Sequence, residues 1–346
     1  MSKSLRFLWA SALLVLCLSS GLAEARPIPV KVVVLTTFEV GADTGDAAGE
    51  YQHWVEADPK ARVVAVAGIE SPVRLSENGV LAVKTGMRAR PREAIAALVS
   101  GDQFDVSRAY WVVAGIAGID PAAGSIGSAA WANWVVDADT PYEMDDREIP
   151  ADWPWGLWAL GTDRPGLKGS AKGSSGMAWK LDPGLVNFAY GLTRDLALPD
   201  NAQLAAARAL YPSEPAAMTP PKVFLGDVLG ATRFWHGTRR TAWARDWVKI
   251  QTDGAGVMAM SDCEDQGILD VLTIYGAQGK VDPRRVLVLR TASNYTRQPD
   301  GADPVLRHFP DGGGKAAFDA AYQVASPVVA ALVAGWATYR DTLPGA

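Results

Sequence analysis

Four short segments of this chain carry residue types that do chemistry. Thr36-Thr37-Phe38-Glu39 runs into an acidic, glycine-rich stretch, Gly41-Ala-Asp-Thr-Gly-Asp46. Gly115-Ile-Ala-Gly118 lacks bulky side chains, so backbone amides there can approach a ligand closely. Ser261-Asp262-Cys263-Glu264-Asp265 concentrates carboxylates, and Arg290-Thr-Ala-Ser293-Asn294-Tyr295 ends in an amide and two hydroxyls. Carboxylates of this kind can take a proton from water or accept hydrogen bonds from a ligand. Each segment also has a purely structural explanation. Ser261 and Asp262 are good helix caps, Glu264 and Asp265 suit a first-turn dipole, and Ser293-Asn294 suits a turn. Asn294-Tyr-Thr is also a nominal glycosylation acceptor.

All four segments follow apolar, β-branched runs, which read as strands buried on both faces. The runs are Val30–Thr37, Arg62–Ile69, Leu81–Thr85, Ala109–Ala117, Trp131–Val136, Lys222–Leu225, Gly256–Met260 and Arg285–Arg290. Helical patterns alternate with them. One starts at Pro91 and stops at Gly101, another carries Ile268, Val271, Leu272 and Tyr275, and residues 315–340 form a terminal helix with a break at Pro327. This alternation predicts a three-layer α/β fold with a largely parallel sheet, in which ligands collect at the carboxyl ends of the strands. Residues 139–182, with Trp153, Trp155 and Trp158, read as an insertion packed on the sheet as satellite core or as an aromatic lid.

The chain has 346 residues and a net charge of −5, the wrong sign for capturing nucleic acid or an anionic membrane. His53, His236 and His308 share no ligand spacing, so no metal and no cofactor is expected. Lys3 and Arg6, the apolar run Phe7–Leu18 and Ala23-Glu-Ala25 form a cleavable signal peptide, residues 1–25. The expected product, residues 26–346, is a single exported domain, periplasmic or secreted, with Cys263 as its only cysteine and no further segment able to span a bilayer.

Taken jointly, Gly115-Ile-Ala-Gly118, Cys263-Glu264 and Arg290-Thr-Ala-Ser-Asn294 resemble the nucleoside phosphorylase superfamily in order and spacing. Phe38-Glu-Val-Gly-Ala-Asp-Thr-Gly-Asp46, Thr140-Pro-Tyr-Glu-Met-Asp-Asp146 and Ser293-Asn-Tyr resemble, more narrowly, the purine nucleoside permease family, from about residue 29 to the C-terminus. The resemblance implies a purine nucleoside ligand, with Glu264 and Cys263 at the ribose and Ser293, Asn294, Phe234 and Trp235 at the base. It implies that Gly115 and Gly118 form a glycine loop and that the chain self-associates. An Asn at position 294 cannot protonate purine N7, but its amide can hydrogen-bond N7 or O6, which favours 6-oxopurines. If inorganic phosphate is the acceptor, Thr37, Arg88 and Arg90 would hold it. If water is, Glu39 would activate it. Cleavage of the N-glycosidic bond and capture of nucleosides for uptake both remain open.

Overall fold

A computed structural model describes residues 26–169, 177–302 and 314–345. The signal peptide, His308 and part of the glycine-serine stretch after Lys168 lie outside the described residues. The central sheet holds β1 (Val32–Thr36), β2 (Arg62–Val64), β3 (Val73–Leu75), β4 (Val80–Lys84), β5 (Tyr110–Ile119), β6 (Ala129–Trp131), β7 (Trp134–Asp137), β8 (Ala178–Lys180), β9 (Val223–Leu225), β10 (Asp227–Gly230), β11 (Met258–Asp262) and β12 (Val286–Tyr295). The strand path is β8-β7-β10-β11-β5-β1-β4-β3-β2, with β12 beside β5, β6 beside β12, and β9 beside β6. Most central pairs are parallel, but β11 runs antiparallel to β5 and β12 antiparallel to β6. The sheet is therefore mixed.

The helices are α1 (Gln52–Ala57), α2 (Arg90–Ser100), α3 (Pro183–Thr193), α4 (Ala202–Arg208), α5 (Thr238–Gln251), α6 (Asp265–Ala277), α7 (Lys315–Ala334) and α8 (Trp336–Tyr339). Along β12 the side chains alternate between layers. Thr291 Oγ1 donates to Ala317 O of α7, while Arg290 reaches Asp265 at the start of α6. Helices thus cover both faces, giving a three-layer αβα fold. The insertion packs through Leu157, Ala159 and Met177 into a second apolar cluster with Trp243 and Trp247 of α5, and Trp155 and Trp235 lie at its edge. Trp153 and Trp158 meet edge to face at 5.2 Å.

Several sequence expectations need correction. Arg62–Val64 is a short, largely exposed edge strand, because β3 pairs with it antiparallel and no strand covers its far side among the described residues. Trp131–Val136 is two strands, since Ala132 and Asn133 turn the chain away from β12. Gly115–Gly118, Ser261–Asp262 and Ser293–Tyr295 are not loops but strand extensions, held by β5–β12 and β5–β11 pairing beyond the end of β1. Pro327 does not break the terminal helix. It sits inside α7, exposed enough to leave the packed stripe intact, and the helix ends at Gly335. At 20 residues, α7 is long and apolar enough to cross a membrane, contrary to expectation, though its apolar stripe from Ala316 to Leu332 is buried in the fold.

Candidate functional site

Strand β5 has one edge paired with β12 from Trp111 to Ile119. Its other edge changes partner: β1 takes Tyr110–Val113, and β11 takes Gly118 and Ile119. Between them the edge opens, a switch point of the kind where open sheets bind ligands. The Ile116 N–H in that opening donates to Glu50 Oε1 at 2.8 Å. Glu50 Oε2 accepts from the Thr37 N–H and hydroxyl at 2.7 and 2.8 Å.

Across the opening stands Arg290, fully buried. Its guanidinium contacts Asp265 at 2.6 and 3.0 Å, Asp262 Oδ2 at 2.9 Å, Glu264 Oε1 at 3.0 Å and the Ile116 carbonyl at 3.1 Å. A Cβ on Gly115 would lie 2.6 Å from Glu50 Oε1 and 2.7 Å from Arg290 Nη1, so only glycine lets these groups flank the strand. Three buried carboxylates thus share one guanidinium, and a fourth, Glu50, feels its charge from across Gly115. Burial raises the Glu50 and Asp262 carboxyls above their ordinary range, Asp262 further because Asp265 lies beside it. Burial pushes Glu264 up to about 7, opposed by Arg290 and reinforced by Glu50.

The start of α6 explains how Glu264 is released for chemistry. Asp262 Oδ2 accepts from the backbone N–H groups of Glu264 and Asp265, so Asp262 does the capping. Glu264 caps nothing, and its Oε2 is buried with no protein partner among the described residues. The backbone N–H of Arg88, which adopts a left-handed conformation (φ 65°), lies near enough to lower the Glu264 pKa but makes no hydrogen bond to Oε2. Cys263 is half-buried, and burial beside Glu264 and Asp262 pushes its thiol up to about 12. A thiol held up in this way stays protonated at neutral pH.

On β12 an irregularity between Ala292 and Asn294 inserts Ser293, which sets Asn294 opposite Gly118. Asn294 Nδ2 donates to Tyr295 O at 3.1 Å, and its Oδ1 lies 3.0 Å from Ser293 Oγ as acceptor. Asn294 is buried, so the nominal glycosylation acceptor is not presented. Gly118, Ser261, Asp262, Cys263, Asn294 and Thr296 line one small cavity with Arg233, Phe234 and Trp235. Its volume is about 10 Å³, room for a single water. A much larger cleft of about 840 Å³ lies beside Ile28, Arg62–Ala65 and Gln103, near the amino ends of the strands and remote from this chemistry.

Most residues singled out in the sequence converge here: Thr37, Gly115, Gly118, Phe234, Trp235, Cys263, Glu264, Ser293 and Asn294. Glu39 is engaged elsewhere. Its carboxylate accepts the N–H groups of Val40, Gly49, Tyr51 and Gln52, fastening the loop to the start of α1. Arg90 is exposed and pairs with Glu70 at 3.2 Å, and the Arg88 side chain is also exposed. Thr37 reaches the site but is occupied by Glu50. Sequence reading missed Glu50, Arg290 and Asp262 as site residues. Arg290 sat inside a quoted motif, and an arginine in an otherwise apolar strand was the available signal. Glu50 had none, because only folding of the acidic loop brings it to β5.

Solved structures share this architecture. A 5′-methylthioadenosine/S-adenosylhomocysteine nucleosidase from Colwellia psychrerythraea, in complex with adenine, superposes with a TM-score of 0.52 at 15% identity over 89% of this chain and 98% of its own. A point mutant of the Helicobacter pylori nucleosidase with 5′-methylthioadenosine in its active site gives 0.53 at 12% identity, over 87% and 99%. Among curated proteins, a probable purine nucleoside permease of Schizosaccharomyces pombe is 27% identical over 259 residues, 72% of this chain and 74% of its own length. A purine nucleoside permease of Candida albicans is 27% identical over 250 residues, 70% of this chain but only 61% of its own length. The family model for purine nucleoside permeases (NUP) matches residues 29–344, nearly all of the described chain, and the protein belongs to that family.

Proposed function

We propose that this protein binds purine nucleosides at the β5 switch point and cleaves their N-glycosidic bond with water. The observation that carries the reading is Glu264, a buried carboxylate with one oxygen on Arg290 and the other unpartnered, next to a second buried carboxylate, Glu50. Glu264 Oε2 would accept from the ribose hydroxyls, and Asn294 would donate to N7 or O6 of the base. As the C1′–N9 bond breaks, its electron pair passes to the purine and positive charge builds on the sugar. The surplus of carboxylates over the single guanidinium stabilises that charge. Water then bonds to C1′ while Glu50 takes its proton, a role to which its raised pKa is suited. The same surplus repels inorganic phosphate, which favours hydrolysis over phosphorolysis.

Residues 1–25 support an exported protein acting on nucleosides outside the cytoplasm. The test incubates residues 26–346 with inosine, guanosine and adenosine, with and without phosphate, and follows free base by chromatography. Release independent of phosphate is expected, and release only with phosphate overturns the water assignment. Binding without release would make the protein a capture component for nucleoside uptake, the reading that the relatives' name favours.

A further inference from the structure

Residues 231–237, an irregular segment between β10 and α5, close one side of the small cavity with Arg233, Phe234 and Trp235. The segment is fixed at both ends. The Ala231 N–H donates to Asp262 O at 3.2 Å, and the Gly237 N–H donates to Thr296 O at 2.9 Å. Gly237 sits at φ 121° and ψ 156°, a region that is essentially glycine's alone. Between these ends Phe234 is 43% exposed, so the middle of the segment lies on the core rather than in it.

Just past Gly237, α5 opens with Arg239 and Arg240, with no acidic residue in its first turn and no side-chain cap. Cations at the positive end of a helix dipole are unfavourable. The compensating carboxylates come from another element, the insertion. Glu143 lies 3.3 Å from Arg240 and 3.8 Å from Arg233, while Asp146 lies 3.7 Å from Arg239 and 4.0 Å from Arg240. Asp139 lies 3.5 Å from Arg233 and accepts from the Thr232 N–H at 2.8 Å. The insertion is itself well anchored. Asp146 Oδ1 accepts from the Gly156 N–H at 2.7 Å, beside a hairpin of Tyr142–Glu143 with Leu157–Trp158, and Leu157 is buried in the cluster around Trp243 and Trp247. All five ion pairs are partly exposed to solvent, so each is weak and screened by salt.

We propose that residues 231–237 are a lid on the nucleoside site and that the 139–146 limb of the insertion is its ionic latch, so that ionic strength sets the rate of ligand entry. This rests on the nucleoside reading above and goes beyond it, giving a role to Thr140–Asp146, which line no part of the cavity. The latch grips the lid through Arg233 and its root through Arg239 and Arg240. Salt loosens both grips and leaves the backbone anchors at Ala231 and Gly237 in place.

Stopped-flow Trp fluorescence of the protein with inosine tests this. Inosine is uncharged at neutral pH, so long-range steering of the ligand adds no salt dependence of its own. Between about 20 mM and about 500 mM NaCl the association rate constant should rise on the order of tenfold. Glu143→Gln/Asp146→Asn should associate at the high-salt rate throughout and vary by less than about twofold with salt. A salt-independent rate in wild type, or a variant that keeps the full salt dependence, overturns the inference. If that variant does not fold, Arg239→Gln/Arg240→Gln takes its place, with the same expected and overturning results. Inosine binding by calorimetry together with salt-independent association sinks the latch and spares the nucleoside reading. Absence of inosine binding at every salt concentration sinks the two together.

Discussion

At the residue scale, the site is an ionic cluster with too much negative charge. Arg290 is its one cation among the described residues, so Arg290→Met should cost about 3–5 kcal/mol, because the carboxylates it leaves stay buried and uncompensated. Urea unfolding measures this, and a loss below about 1 kcal/mol would mean that the cluster is solvated. Glu264→Gln keeps the shape but removes one acceptor. Nucleoside affinity should fall on the order of tenfold or more, and unchanged affinity by titration calorimetry would remove Glu264 from the sugar. Glu264 and Asn294 were legible in the sequence because their neighbours form recognisable motifs. Glu50 was not, since its partners Thr37 and Ile116 are 13 and 66 residues away.

At the element scale, strand irregularity and close approach aim the side chains. Gly118 lies opposite Asn294, and a Cβ there would come within 3.0 Å of Asn294 Nδ2. Gly118→Ala should therefore weaken base recognition on the order of tenfold at a stability cost of about 1 kcal/mol, a split readable by titration and thermal melts. Binding of a nucleoside here would require the segment with Phe234 and Trp235 to move, because the cavity of about 10 Å³ is smaller than the ligand. Asp139 holds it shut through the Thr232 N–H at 2.8 Å, Arg233 and Gln266. In Asp139→Ala the closed state loses these bonds. Nucleoside association in stopped-flow Trp fluorescence should speed up, and an unchanged rate would show that another element gates entry.

At the scale of the whole molecule, burial of the carboxylates makes stability depend on pH. Glu264 has its carboxyl raised from 4.5 to about 7 on folding. Its contribution is therefore fully present below pH 4.5 and is lost as pH rises through 7, a difference of about 3 kcal/mol. Glu264→Gln lacks this linkage, so its stability relative to wild type should improve between pH 5 and pH 8. Parallel stability curves for the two proteins would show that Glu264 is ionised throughout. The helices carry the opposing load: α7 buries its stripe from Ala316 to Leu332 against β5 and β12, whose own residues are almost wholly apolar up to the site.

By itself the sequence determined the three-layer class, the approximate positions of most strands and the motif positions. Those follow from local apolar periodicity and glycine placement, which neighbouring residues carry. The exposed Arg62–Val64 edge, the uninterrupted α7 and the strands that run on through Gly118, Asp262 and Tyr295 were decided by pairing between distant segments. The same holds for Glu39 and Glu50. Both carboxylates lie in one acidic stretch, and local chemistry does not distinguish them. Only the fold sends Glu39 to the backbone of α1 and Glu50 to the open edge of β5, because hydrogen-bond partners there are set by tertiary proximity rather than by spacing along the chain.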